Sequence, residues 1–139
     1  MKQEDKELLL KDLCARLPHH TKVNINGKIE TLDSICDDAG YYFNFLNDNE
    51  EGVNIEQIKP YLFPLSSMTE EQKEELENLG WYFDNFEIHN VNECFGTYRE
   101  YVAHSDCFKL IDWLNKNHFD YRGLIEKGLA IDATELNIY

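Results

Sequence analysis

The chain has 139 residues, 42% hydrophobic and 13% aromatic, which is enough apolar mass for one packed core and too much for a disordered chain. Its 27 acidic and 13 basic residues leave a net charge of −14, a surface that repels phosphates and argues against direct DNA or RNA binding. Apolar runs such as Leu8-Leu9-Leu10 and Trp81-Tyr82-Phe83 fall far short of the ~20 residues of a membrane span. The acidic start MKQEDKELLL lacks the features of a secretion signal, so a soluble cytoplasmic protein is expected.

Residues 2–17 carry a helical pattern, with Leu9, Leu10, Leu13, Cys14 and Leu17 recurring at spacings of three and four before Pro18 ends the run. His19 and His20 fall in a connector. Val23, Ile25 and Ile29 then alternate around Asn26-Gly27, a strong hairpin signal, and predict antiparallel strands over 22–25 and 28–32. Asp37-Asp38-Ala39-Gly40 reads as a turn, residues 41–46 as an aromatic-rich third strand, and 47–52 (NDNEEG) as a polar tip. Residues 53–58 fit a strand or a short helical turn equally well. Pro60 and Pro64 force an extended passage, with Tyr61, Leu62 and Phe63 lining the sheet.

Thr69-Glu70-Glu71-Gln72 is a capping box that opens a helix running to Leu79 and stopped by Gly80. Leu76 and Leu79 are its main apolar contacts, so it is expected at the surface, outside the core, with Glu70, Glu71, Glu74, Glu75 and Glu77 in water. Residues 81–91 read as one strand, with Phe86 and Ile88 alternating; 92–96 form a break, and 98–102 fit either strand or helix. The clearest segment is 104–132. Ser105 or Asp106 caps a helix whose apolar positions include Phe108, Ile111 and Leu114, widened by Cys107, Leu110 and Trp113. Asn115 and Asn117 close it. Asp120 caps a second short helix over 121–127, which Gly128 ends, and 129–131 make a short strand. The last five residues are expected to be a loosely held tail. These elements predict a single α+β domain over 1–139: a small antiparallel sheet, a meander or partly closed barrel, packed with an N-terminal helix and a C-terminal helical corner.

Four scattered cysteines, Cys14, Cys36, Cys94 and Cys107, form no CxxC pair, and Cys14 and Cys107 fall on apolar helix faces, where a free thiol behaves as a small buried hydrophobe. His104 and Cys107 form a single HxxC pair, with His89 and Cys94 as conceivable partners. Structural zinc sites use two tight pairs, so no metal is expected. A Cys–His dyad needs an electropositive setting that the net charge opposes. No GxSxG, P-loop, GxGxxG or HExxH is present. Carboxylate pairs such as Asp37-Asp38 and Glu50-Glu51 sit at turns, where they satisfy local backbone groups. No catalytic residue and no cofactor is expected.

The densest set of functional-type side chains is the corner His118, Asp120, Tyr121 and Arg122. A structural account has Asp120 capping the next helix, Arg122 paired with it or with a neighbouring acid, and His118 capping the preceding helix. A functional account has these residues binding an anionic ligand or a partner protein.

The segments KELLLKDLCARLP, IKPYLFPLSSMTEEQ and DWLNKNHFDYRGLIEKGLAID resemble a family of short proteins of Bacteroides-type gut bacteria and their prophages or mobile elements. The resemblance covers about half of the chain and leaves the strand region and 87–105 unmatched. The family has no assigned activity, so the resemblance supplies no catalytic residues and implies only a mobile-element origin and a cytoplasmic setting. Together these readings favour a non-enzymatic, acidic protein-binding or regulatory protein with an unidentified protein partner and an oligomeric state not legible from sequence. One alternative is a nucleic-acid mimic inhibiting a DNA- or RNA-binding protein. Another is a small ligand binder or enzyme using the 118–122 corner.

Overall fold

A computed structural model describes residues 1–37, 40–46, 53–84, 87–90 and 104–139. Residues 38–39 of the turn expected at 37–40, the tip at 47–52, Phe86, the break at 92–96 and the ambiguous 98–102 lie outside the described residues, as does Cys94.

The protein is α+β. Helix α1 (Gln3–Arg16) passes through a 3-10 turn (Leu17–His19) containing Pro18 into β1 (Lys22–Ile25). Asn26 (φ 50°) and Gly27 (φ 89°) both take the left-handed backbone that a two-residue hairpin needs, and β2 (Lys28–Asp37) returns antiparallel to β1. β3 (Tyr41–Phe45) pairs antiparallel with β2, with a register shift between Leu32 and Ser34 that makes Asp33 the extra residue of a bulge. Residues 53–58 resolve as a capped 3-10 turn, Ile55–Gln57, leading into β4 (Ile58–Pro64).

The PYLFP passage does more than line the sheet, for it is the strand that joins the two halves of the fold. Residues 58–60 of β4 pair antiparallel with β1. Tyr61 and Leu62 then pair parallel with β8 (Ile131–Asp132), and Phe63 and Pro64 pair parallel with β7 (Phe119–Asp120). Pro60 lies opposite Val23, before either parallel partner begins, where its missing N–H costs the ladder least. The expected antiparallel sheet is therefore mixed, in the order β3-β2-β1-β4-β7 with β8 also on β4, and it does not close into a barrel. The parallel pairs were not legible from 28–64 alone, because the partners are two-residue strands more than fifty positions downstream.

The capping box forms as expected. Thr69 Oγ1 accepts from the Gln72 N–H (3.2 Å), Gln72 Oε1 accepts from the Thr69 N–H (3.0 Å), and α2 spans Glu70–Asn78. The five glutamates of α2 are exposed. Leu76 is fully buried, however, and corrects the picture of an outlying helix: with Met68, Leu110, Leu114 and Phe119 it forms a second apolar cluster. The first cluster joins Leu9 and Leu13 of α1 to Val23, Ile25, Leu32, Phe43, Phe45, Ile58 and Leu62 of the sheet, closed by Leu124, Leu129 and Ala130.

The single strand expected at 81–91 is a pair, β5 (Trp81–Asp84) and β6 (Glu87–Asn90), which form their own antiparallel sheet. Helix α3 (His104–Lys116) already includes Ser105 and Asp106, so neither stands outside it as a cap. It buries Leu110 and Leu114 and half-buries Trp113, while Phe108 (68% exposed), Ile111 (37%) and Cys107 face outward. The six apolar residues of this helix are spread around more than one face, so periodicity does not choose the buried one. Contact with Leu76 and Phe119 does. Cys14 is also exposed, because the buried stripe of α1 is Leu9, Asp12, Leu13 and Arg16. Residues 121–127 form turns rather than a helix, held by Leu129 N–H to Leu124 C=O (2.9 Å) and ended by Gly128 (φ 73°).

Candidate functional site

The corner begins where α3 ends. The His118 N–H bonds back to the Asn115 carbonyl (3.1 Å), and His118 turns left-handed (φ 60°), redirecting the chain from helix into β7. The helix end is thus capped by the His118 N–H and by the Asn117 side chain, whose Nδ2 donates to the Trp113 carbonyl (2.9 Å), while the His118 imidazole stacks on Tyr139. Asp120 does cap the turns after β7: Oδ1 accepts from the Leu124 N–H (3.0 Å) and Oδ2 from the Ile125 N–H (2.9 Å). Arg122 pairs with an acid, but not with Asp120. Its Nη1 donates to Asp12 Oδ1 (3.0 Å) on α1 and to the Tyr121 hydroxyl (2.9 Å).

Asp12 and Arg16 are the residues that sequence reasoning missed. Both are fully buried. Arg16 Nε and Nη2 grip the two oxygens of Asp12 at 2.8 and 3.1 Å, and Nη2 also donates to the Phe119 carbonyl at 2.7 Å, tying α1 to β7. Both guanidinium carbons sit over the Tyr121 ring, Arg122 at 4.7 Å and Arg16 at 5.2 Å, within cation–π range. The Tyr121 hydroxyl donates to Asn115 Oδ1 (2.8 Å), and Asn115 is itself buried. A signal was present in the sequence: Asp12 and Arg16 are spaced i, i+4 and share the phase of Leu9 and Leu13, so the face that buries the leucines must bury them too.

His118 stands apart from this network. Its ring stacks on Tyr139 with centroids 3.7 Å apart, and its buried Nδ1 has no hydrogen-bond partner. Burial, followed by the nearby charges of Arg16 and His19, lowers its pKa to about 4. The tail expected to be loose is pinned here. The Tyr139 hydroxyl donates to the Tyr61 carbonyl (2.8 Å) and accepts from the Lys22 N–H (2.9 Å), and burial raises its pKa.

The four sequence-predicted residues therefore share one neighbourhood in different employments. Asp120, Tyr121 and Arg122 build the corner, and His118 anchors the tail. A groove of about 300 Å³ runs beside them and is lined by Asp120 and Tyr121, with Pro64, Ser66 and Glu126, but not by His118 or Arg122. A second, of about 540 Å³, shares Pro64 and Ser66 and reaches Asp132 and Thr134. Asp132 Oδ1 accepts from both the N–H and the hydroxyl of Thr134. The aspartates that line these grooves, Asp120 and Asp132, are thus committed to turn geometry, and Asp12 cannot reach solvent.

Among the described residues, no three His, Cys, Asp or Glu side chains come together as a metal site. Of the HxxC pair, Cys107 is exposed on α3. Cys14 is exposed as a residue, but partial desolvation of its thiol raises the pKa, which disfavours a thiolate there. No described helix is long and apolar enough to cross a membrane.

The opposite end of the sheet has a different character. β3 is the terminal strand, and among the described residues its outer edge pairs with no strand. Phe43 and Phe45 point into the first cluster, while Tyr41 (53% exposed) and Tyr42 (51%) remain open to solvent. A groove of about 360 Å³ lies between Tyr41–Phe43 and Val53–Ile55.

Compared with family models, curated proteins and solved structures, the chain matches none, so the geometry carries the functional argument.

Proposed function

We propose that this is a non-enzymatic binding or regulatory protein that works through protein contacts in the cytoplasm. The observation that supports it most directly is the terminal strand β3, which combines an edge with no strand partner among the described residues and two half-exposed tyrosines. Free backbone groups beside aromatic side chains are what one protein needs to recognise another. The corner at 118–122 supports the same reading from the other side, since Asp120, Tyr121 and Arg122 are bonded to Asp12, Asn115 and the backbone of Leu124 and Ile125. A mobile-element origin belongs to the proposal and rests on the three sequence blocks that begin at Lys6, Ile58 and Asp112.

The test is affinity capture of the tagged protein from host lysate at about 0.15 M salt, where weak surface electrostatics are largely screened. A charge-matched acidic domain serves as control. One specific, stoichiometric partner is the expected result. A nucleic-acid-binding partner released by competing DNA would turn the reading toward phosphate mimicry, for which exposed glutamates of α2 such as Glu71, Glu74 and Glu77 offer a surface. No partner beyond the control would overturn the reading and move the search to small molecules at the Pro64 grooves.

A further inference from the structure

We propose that β3 is the docking edge for an extended, basic segment of a partner protein, which adds as a further strand beside Tyr41–Phe45; this rests on the protein-binding reading above and adds the partner's chemistry. An end strand shows a row of N–H and C=O groups, and proteins ordinarily blunt such edges with charged residues, especially lysine, or with proline. β3 reads YYFNF and has neither charge nor proline. Its inner side chains, Phe43 and Phe45, are buried at 4% and 6% exposure, which fixes its register and holds the edge in place for pairing. Tyr41 and Tyr42 flank that edge as large contacts of low entropy cost, and the groove toward Val53–Ile55 gives room for an added side chain.

Charge selects the occupant. Residues 31–58 contain seven acidic residues and no lysine, arginine or histidine, and β3 lies in the middle of this stretch. On the neighbouring strand, Asp33 and Asp37 are exposed, Asp37 directly opposite Tyr41. Glu56 is already engaged by Lys6 at 2.7 Å. A strand arriving at this edge meets a stretch of negative charge with no basic residue within 31–58 to offset it, so lysine or arginine at its alternate positions is favoured. A second copy of the chain would bring the same acidic stretch against itself, and like charges across an interface exclude that pairing.

The probe is a short peptide alternating lysine with valine, compared with its glutamate counterpart and with the lysine peptide N-methylated at alternate residues. N-methylation removes backbone donors and leaves the side-chain charge unchanged. Binding is read at about 0.15 M salt by amide chemical shifts and hydrogen exchange on the whole protein. The lysine peptide is expected to protect amides within Tyr41–Phe45. The glutamate and N-methylated peptides, and the variant carrying Tyr41→Lys and Tyr42→Lys, are expected to bind about tenfold or more weakly. Equal binding of the N-methylated peptide would reduce the effect to charge attraction and overturn strand addition. Protection elsewhere, no binding, or β3 shifts that depend on protein concentration without peptide would also overturn it, the last in favour of self-pairing. If capture from lysate yields a specific partner equally well with the double-lysine variant, docking at β3 fails while the protein-binding reading stands.

Discussion

The two ends of the main sheet use their polar groups in opposite ways. At the β7 end, an aspartate, two arginines, a tyrosine and an asparagine are bonded to one another in one largely buried network, in which Arg16 Nη1 is left buried without a hydrogen-bond partner. At the β3 end, side chains of no special chemistry leave a backbone edge open among the described residues. At the corner, residue types that suggest activity build architecture, while on the proposed reading a plain strand of aromatics and one asparagine offers the docking surface. Chemical character and functional availability are separate properties, and burial with partner count distinguishes them.

The contrast can be broken most forcefully at Asp12. Asp12→Asn leaves two arginines facing each other without their shared carboxylate and is expected to cost about 3–5 kcal/mol in urea denaturation. Replacing Asp12, Arg16 and Arg122 together by Leu, Met and Leu removes all three charges and is expected to be far milder, near neutral, because the desolvation penalty goes with the pair. If the triple variant is as unstable as the single one, the network is more than a paired structural element.

His118 gives a pH-dependent version of the same test. Its folded pKa, about 4, lies below its ordinary value of 6.5, so the unfolded chain takes up this proton first. Its contribution is fully present above pH 6.5 and is lost as pH falls toward 4. The expected loss is about 1–2 kcal/mol after allowance for solvent screening. His118→Asn tolerates the left-handed backbone and does not titrate, so this component of the pH dependence should be missing from the variant's stability curve. A parent curve parallel to the variant's would show that the imidazole is not held neutral.

Tyr139→Phe keeps the ring stacked on His118 but loses the bonds to Tyr61 and Lys22, with an expected cost of about 1 kcal/mol and faster exchange at the Lys22 amide. The smallest effect belongs to the open edge. Tyr41→Lys with Tyr42→Lys should change stability by no more than about 0.5 kcal/mol while removing partner binding. A large loss of stability there would mean the edge is structural after all.

What could be read from the sequence was local. The Asn26-Gly27 hairpin, the Thr69–Gln72 capping box, the α1 boundary at Pro18 and the cap by Asp120 each depend on residues within a few positions of one another. The parallel partners of β4 could not be read in the same way, because a two-residue strand has no period and its pairing is decided by the packing of Phe119 and Ile131 onto distant chain. α3 failed for a related reason: with apolar residues on most sides, only its neighbours decide that Leu110 and Leu114 go in and Phe108 stays out. At the candidate site the four named residues do lie together, but Asp12 and Arg16 were overlooked because charged residues in an acidic helix are read as solvent-facing. Their shared phase with Leu9 and Leu13 was the available clue.

The dependence of β4 on both ends of the chain also bears on when the protein becomes folded during synthesis. The β1–β2 hairpin is complete by Asp37. β4 must wait for residues 119–132, and Arg16 must wait for a carbonyl 103 positions later before its Nη2 bond to Phe119 can form; its Nη1 stays buried without a partner. Until then the nascent chain carries a half-paired central strand and an incompletely satisfied ion pair. Closure is therefore a late, non-local step that is expected to be slow and to set the interval during which a chaperone is useful.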